Sequence, residues 1–227
     1  MSLKPGTQFA DYEIIERIGT GAMAVVFKAT DTSGRIVALK LLADNLISDE
    51  RIVRRFHKEG EMMQRLNHPG IVRVLGYGTA EGRPFLATEY MAYGSLASLF
   101  RPGFQIKLGQ SAQILKQIAA ALDYAHAQNV IHRDLKPENI LVNSNRQFAI
   151  ADFGIARVLS ETRLTRSGFT IGTPQTIAPE QIQNAHATTA AADRYALAVI
   201  AYLLATGHYP FTGTSEMEYY EKHLRHQ

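Results

Sequence analysis

From residue 12 to residue 90 the apolar positions fall in short runs that read as strands around a single helix. Residues 12–19 and 24–30 form a strand pair joined by a glycine-containing turn, and residues 35–42 form a third strand after the turn signal Thr32-Ser33-Gly34. The period then changes. Ile52, Val53, Phe56, Met62, Met63 and Leu66 recur at helical spacing with charges between them, which predicts one amphipathic helix over 50–66 that stops before Asn67-His68-Pro69-Gly70. Residues 71–77 and 84–90 return to strand texture. From residue 92 onward the pattern is mostly helical: an alanine-rich helix over 111–128, a segment over 190–206 that is apolar almost all round, and a last short helix over 215–223. A small hairpin interrupts the helices, with Ile140-Leu141-Val142 as one strand, Asn143-Ser144-Asn145 as the turn and 147–151 as the other strand. The predicted class is α+β, divided into a strand-rich part over 1–91 and a helical part over 92–227, without internal repeats.

Composition changes this picture little. The 227 residues are enough to bury a sizeable core, and 24 Lys and Arg against 21 Asp and Glu leave a net charge of only +3. With no run of five or more basic residues, a dedicated nucleic-acid surface is not expected. The absence of cysteine excludes disulfides, a thiol nucleophile and cysteine-ligated zinc. Asp193 and Arg194 interrupt the segment at 190–206, and the apolar run beyond them is too short to span a membrane. No charged-then-apolar signal pattern opens the chain. The expectation is a cytoplasmic domain without membrane contact of its own, whether or not a longer protein anchors it.

The chemistry is concentrated in His132-Arg133-Asp134-Leu135-Lys136-Pro137-Glu138-Asn139 and in Asp152-Phe153-Gly154, which begins thirteen residues after Asn139. This spacing puts an acid for an attacking hydroxyl, a cation for a moving phosphate and two oxygen ligands for magnesium within one loop and the hairpin after it. On these residues the chain resembles the protein kinase family, and most closely the bacterial Ser/Thr kinases. The resemblance implies a bilobal fold, with a small antiparallel β-sheet N-lobe carrying one regulatory helix and a mostly helical C-lobe.

It also implies roles. Asp134 accepts the hydroxyl proton, Lys136 neutralises the phosphate in transfer, and Asn139 and Asp152 hold Mg2+, or Mn2+ in its place. In Gly19-Thr20-Gly21-Ala22-Met23-Ala24 small residues let backbone amides approach phosphate oxygens; taken alone a glycine pair is only a turn, and Ala24 replaces the family's third glycine. Lys40, in Val37-Ala38-Leu39-Lys40, is costly inside an apolar strand unless paired, and the resemblance pairs it with Glu59 to hold the ATP phosphates. Adenine is expected between Val26 and Ala38 on one side and Leu141 on the other. The linker Glu89-Tyr90-Met91 would supply backbone hydrogen bonds, with Thr88 at the back of the pocket. A spine of Met63, Val74, His132 and Phe153 is anchored by Asp193.

The segment from Asp152 to Ala178-Pro179-Glu180 resembles a platform for protein substrates, which argues against a small-molecule phosphotransferase. Lys136 and Thr173 match the Ser/Thr arrangement, whereas Thr176 stands where a tyrosine is usual. Arg55, Arg133 and Arg157 are expected to converge on a phosphate carried by Thr165, Ser167 or Thr170, so that modification of the segment raises activity. Family members continue through further helices and carry a later arginine that pairs with the glutamate matching Glu180. Here Glu180 is expected to be solvated, otherwise paired or mobile, and an exposed apolar surface there, or the N-lobe, offers a dimer contact. The rival reading that keeps the fold is a pseudokinase scaffold. Every catalytic position nevertheless carries the expected side chain.

Overall fold

The computed structural model describes residues 3–21, 23–100, 106–153, 173–184 and 188–225. They form two compact units, Met1–Asn67 with Val72–Ala92, and His68–Ile71 with Tyr93–Gln227.

The first unit is a six-stranded antiparallel sheet of order β1-β2-β3-β4-β6-β5. Its strands are β1 (Gln8–Phe9), β2 (Tyr12–Thr20), β3 (Ala24–Asp31), β4 (Ile36–Leu42), β5 (Val74–Ala80) and β6 (Arg83–Glu89). Alternation along β4 separates two faces. Val37, Leu39 and Leu41 are fully buried and join Phe9, Ile14, Phe27, Ala29 and Ala87 in one cluster, whereas Ala38 and Lys40 point the other way and are only partly buried. The β3–β4 turn closes on Asp31, whose Oδ1 accepts the Ser33 amide at 2.9 Å and the Ser33 hydroxyl at 2.6 Å, while Oδ2 accepts from Arg35 Nη2 at 2.7 Å. The Ser33 hydroxyl first, and then the Arg35 guanidinium, hold this carboxyl well below its usual range.

Helix α1 (Glu50–Gln64) starts where predicted because Asp49 caps it, accepting the Arg51 amide at 3.0 Å. It packs on β5. His57 Nε2 lies 2.8 Å from Thr79 Oγ1, and Gly60 sits so close to Tyr77 that a Cβ there would fall 2.9 Å from the ring's Cγ.

The second unit contains α2 (Leu108–Ala127), a hairpin of β7 (Ile140–Val142) and β8 (Phe148–Ile150), and α3 (Pro179–Gln183), α4 (Ala190–Thr206) and α5 (Glu216–Arg225). Helix α4 has the bounds its pattern predicts, set by Thr189, which accepts the Ala191 amide at 3.2 Å, and by Gly207 at φ 78°. It packs on α2 and is one-sided, with Ile200, Leu203 and Leu204 buried and Tyr202 48% exposed. The strand expected over 71–77 begins only at Val74. Ile71 instead bridges to Ile150, whose amide donates to the Gly70 carbonyl at 2.8 Å.

Candidate phosphoryl-transfer site

The loop between α2 and β7 is held by one buried carboxylate. Asp193, in the first turn of α4, is 1% exposed and accepts the amides of His132 and Arg133, each at 2.8 Å, and His126 Nε2–H at 2.7 Å. Burial opposes its charge, but the hydrogen bonds from His126 and the two amides outweigh burial and hold the carboxyl below its usual range. Arg133 has φ 72°, a left-handed conformation that costs a side-chain-bearing residue about 1–2 kcal/mol. The Asp193 bonds and that from Gln181 Nε2 to the Arg133 carbonyl, at 2.8 Å, offset this cost. His132 is fully buried. Its Nε2–H donates to the Ala151 carbonyl at 2.8 Å, its Nδ1 accepts the Asp134 amide at 3.2 Å, and its ring meets Phe153 edge to face at 4.8 Å.

Asp134 emerges from this frame between a cation and a hydroxyl. Its Oδ1 accepts the Thr173 amide at 3.1 Å and the Thr173 hydroxyl at 2.9 Å, and its Oδ2 lies 2.9 Å from Lys136 Nζ. Lys136 Nζ also donates to Thr173 Oγ1 at 2.9 Å, which closes a ring of three side chains. One hydrogen bond from Lys136 leaves Oδ2 with capacity to accept another donor, such as a substrate hydroxyl.

Asn139, 9% exposed, donates Nδ2–H to the Asp134 carbonyl at 2.8 Å, so its amide oxygen is fixed on the opposite side of the group. The Ala151 amide donates to the Asn139 carbonyl at 2.8 Å, and the next residue, Asp152, has φ 61°. Among the described residues no three acidic, histidine or cysteine side chains gather into a metal cage. Asn139 and Asp152 are both hard oxygen donors. Such a pair suits a Mg2+ ion that retains waters and phosphate oxygens as its other ligands.

In the first unit the expected nucleotide residues share the sheet face opposite the buried cluster. Val26 pairs with Lys40 and with Gly19, Lys40 with Leu86, and Ala38 with Thr88, so Gly19, Val26, Ala38, Lys40 and Thr88 lie on adjacent strands of one surface. The Gly21 amide donates to the Ala24 carbonyl at 2.9 Å, and Met23 is buried with its carbonyl bonded to the Ala43 amide at 2.8 Å. Glu59 is partly buried on α1, and Met91 is buried at the end of the unit. Glu89 exchanges hydrogen bonds with the Arg73 backbone, its amide donating at 3.0 Å and its Oε1 accepting at 3.1 Å. Leu141, in the second unit, is partly buried on β7.

Ala22, Gly154, Arg157, Thr165, Ser167 and Thr170 lie outside the described residues. Thr176 is buried, its amide donating to the Thr173 carbonyl at 3.0 Å. Glu180 is partly exposed, and its charge, after burial, pushes the Tyr195 phenol above its usual pKa. Three supports escape sequence reasoning. Gln181 beside Ala178-Pro179-Glu180, Tyr195 on α4 and His223 on α5 each read as ordinary helix positions, and only their partners distinguish them.

A carboxylate flanked by a lysine and a threonine in a helical unit, together with an antiparallel sheet that carries Lys40 and Gly19 on one face, matches the bilobal α+β kinase fold. Residues 12–227 match the protein kinase domain family, and the chain belongs to that family. It is 41% identical over 223 residues to the serine/threonine-protein kinase pkn3 of Myxococcus xanthus, a match covering 94% of this chain and 41% of that protein. It is 37% identical over 223 residues to the probable serine/threonine-protein kinase PknB of Lactococcus lactis, covering 97% of this chain and 35% of that one. The crystal structure of the PknI kinase domain from Mycobacterium tuberculosis matches with a TM-score of 0.74 at 30% identity, over 94% of this chain and 81% of that domain. The chain thus spans less than half the length of both full-length relatives. Among the described residues no helix is long and apolar enough to cross a membrane.

Proposed function

We propose that the chain transfers the γ-phosphoryl group of Mg-ATP to Ser and Thr hydroxyls of proteins, including hydroxyls of its own segment at 165–170. The observation that carries this reading is the closed ring of Asp134, Lys136 and Thr173. Asp134 Oδ2 accepts the hydroxyl proton, and Thr173 keeps the carboxylate turned toward the acceptor. Lys136 holds its charge beside the oxygens that gain negative charge during transfer. Asn139 and Asp152 are the residues that would hold the metal, which when bound neutralises phosphate charge. Lys40, positioned by Glu59, binds the nucleotide phosphates. Gly19, Thr20, Gly21, Ala22 and Met23 offer backbone amides to them, and Val26, Ala38, Thr88, Glu89, Met91 and Leu141 receive the base. The names of the relatives support the Ser/Thr preference. Phosphate on Thr165, Ser167 or Thr170, met by Arg55, Arg133 and Arg157, raises activity by removing the repulsion among the three arginines.

Intact mass after incubation with magnesium, ATP and casein tests the reading, beside Asp134→Asn and Lys40→Ala. Added phosphate on casein and on wild type alone is the expected result, with peptide mapping of residues 165–170. ATP binding without phosphate on either protein would establish a binding scaffold instead.

A further inference from the structure

His223 is fully buried on α5, far in sequence from the transfer loop, and both of its ring nitrogens are engaged. Nε2 lies 2.9 Å from the Pro174 carbonyl, and Nδ1 lies 2.7 Å from the Tyr195 hydroxyl on α4. A carbonyl can only accept, so Nε2 carries the proton, and in the neutral ring Nδ1 accepts from the phenol. The neutral ring is thereby held in one tautomer and fixed at both ends. Phe211 packs edge to face on it at 4.8 Å. Pro174 directly follows Thr173, the residue whose amide and hydroxyl both bond Asp134. Proline has no amide proton, so the backbone at this point is anchored through its carbonyl.

We infer that His223 is a positioning residue for phosphoryl transfer: through the Pro174 carbonyl it holds Thr173 against Asp134 and Lys136, using Tyr195 to fix its own tautomer. This rests on the role proposed above for Asp134, Lys136 and Thr173. The chain of contacts runs from α4 through the imidazole to the turn at 173–176, which the Thr176 amide closes on the Thr173 carbonyl at 3.0 Å. Burial pushes the imidazole pKa below its usual value, against the backbone of Pro174 and Gln175, in keeping with an uncharged ring. Tyr195 bonds the ring from α4, and burial first, then the charge of Glu180 on α3, raises the pKa of that phenol.

His223→Phe keeps the ring volume and removes the donor, and His223→Gln restores a donor near the Nε2 position. The measurements are kcat and KM for ATP with a protein substrate, and amide hydrogen exchange at Thr173 and Thr176. His223→Phe is expected to lower kcat at least about tenfold, as small displacements of aligned groups do, while leaving the KM for ATP unchanged. Exchange at both amides should quicken, and His223→Gln should recover part of each effect. Tyr195→Phe should shift both readouts the same way by less. Unchanged exchange in His223→Phe would overturn the inference, as would a fall in melting temperature without a change in kcat. Exchange needs no catalysis, so if wild type transfers no phosphate the proposed function fails while the positioning of Thr173 by His223 is still decided.

Discussion

Replacing Asp193 removes the carboxylate on which the transfer loop is hung. Asp193 is 1% exposed and accepts two backbone amides at 2.8 Å and one imidazole N–H at 2.7 Å. In Asp193→Ala the amides of His132 and Arg133 lose their acceptor, at about 1–3 kcal/mol each for a buried donor left unsatisfied. The left-handed Arg133 backbone, φ 72°, thereby loses its amide bond and keeps that from Gln181 to its carbonyl. The expected loss is about 3–6 kcal/mol. Asp193→Asn keeps one accepting oxygen but turns an NH2 group toward a donor, so about half that loss is expected. Urea unfolding followed by far-ultraviolet circular dichroism reads this directly. With a slope of about 3 kcal/mol per molar urea, the alanine variant's midpoint falls by at least about 1 M.

The same carboxylate fixes a pH dependence. Its folded pKa is lowered, because the hydrogen bonds from His126 and the two amides exceed the opposing effect of burial. The unfolded chain therefore binds the proton first as pH falls, and stability drops from the usual carboxylate range down through the lowered folded value. The contribution is complete above the unfolded pKa. Asp193→Asn should accordingly show a shallower acid limb than wild type. An alanine variant whose urea midpoint stays within about 0.2 M of wild type, with an unchanged acid limb, would refute the reasoning.

Two further predictions concern the groups on either side of the reaction. Gly60→Ala should gain about 1 kcal/mol of helix propensity yet lose about 1–3 kcal/mol to overpacking, since the new Cβ falls 2.9 Å from Tyr77 Cγ and 3.0 Å from its Cβ, atoms near the backbone that cannot swing away. Displacing α1 beside Glu59 should also lower kcat, and a stabilised, fully active Gly60→Ala would count against this account. Thr173→Ser keeps the hydroxyl that bonds Asp134 and Lys136, and should retain activity within a few-fold; Thr173→Val keeps the shape without the hydroxyl and should lower kcat by about 10²-fold, measured at saturating ATP.

The parts of this molecule that are legible in its sequence are those where the physics is local or the chemistry demands a residue type. Helix α4 has the bounds of its apolar pattern because a threonine cap and a left-handed glycine lie at its ends. The strand expected from residue 71 fails at its start because Ile71 finds a partner in Ile150, seventy-nine positions away, which no local pattern records. The two-residue β1 is too short for any period to register. In the site, Asp134, Lys136 and Asn139 are visible because an acid, a cation and an oxygen ligand at that spacing have few other uses. Gln181, Tyr195 and His223 are not, since a donor that satisfies one carbonyl or one ring nitrogen can come from several residue types and several places. Their partners lie 48, 28 and 49 positions away. The two groups should therefore tolerate change differently. The residues proposed to react require a particular charge and reach, so that even Asp134→Asn should abolish transfer. The supporting residues require only a hydrogen bond of the right direction, so substitutions there should be ranked by the donors and acceptors they retain rather than by their resemblance to the native side chain.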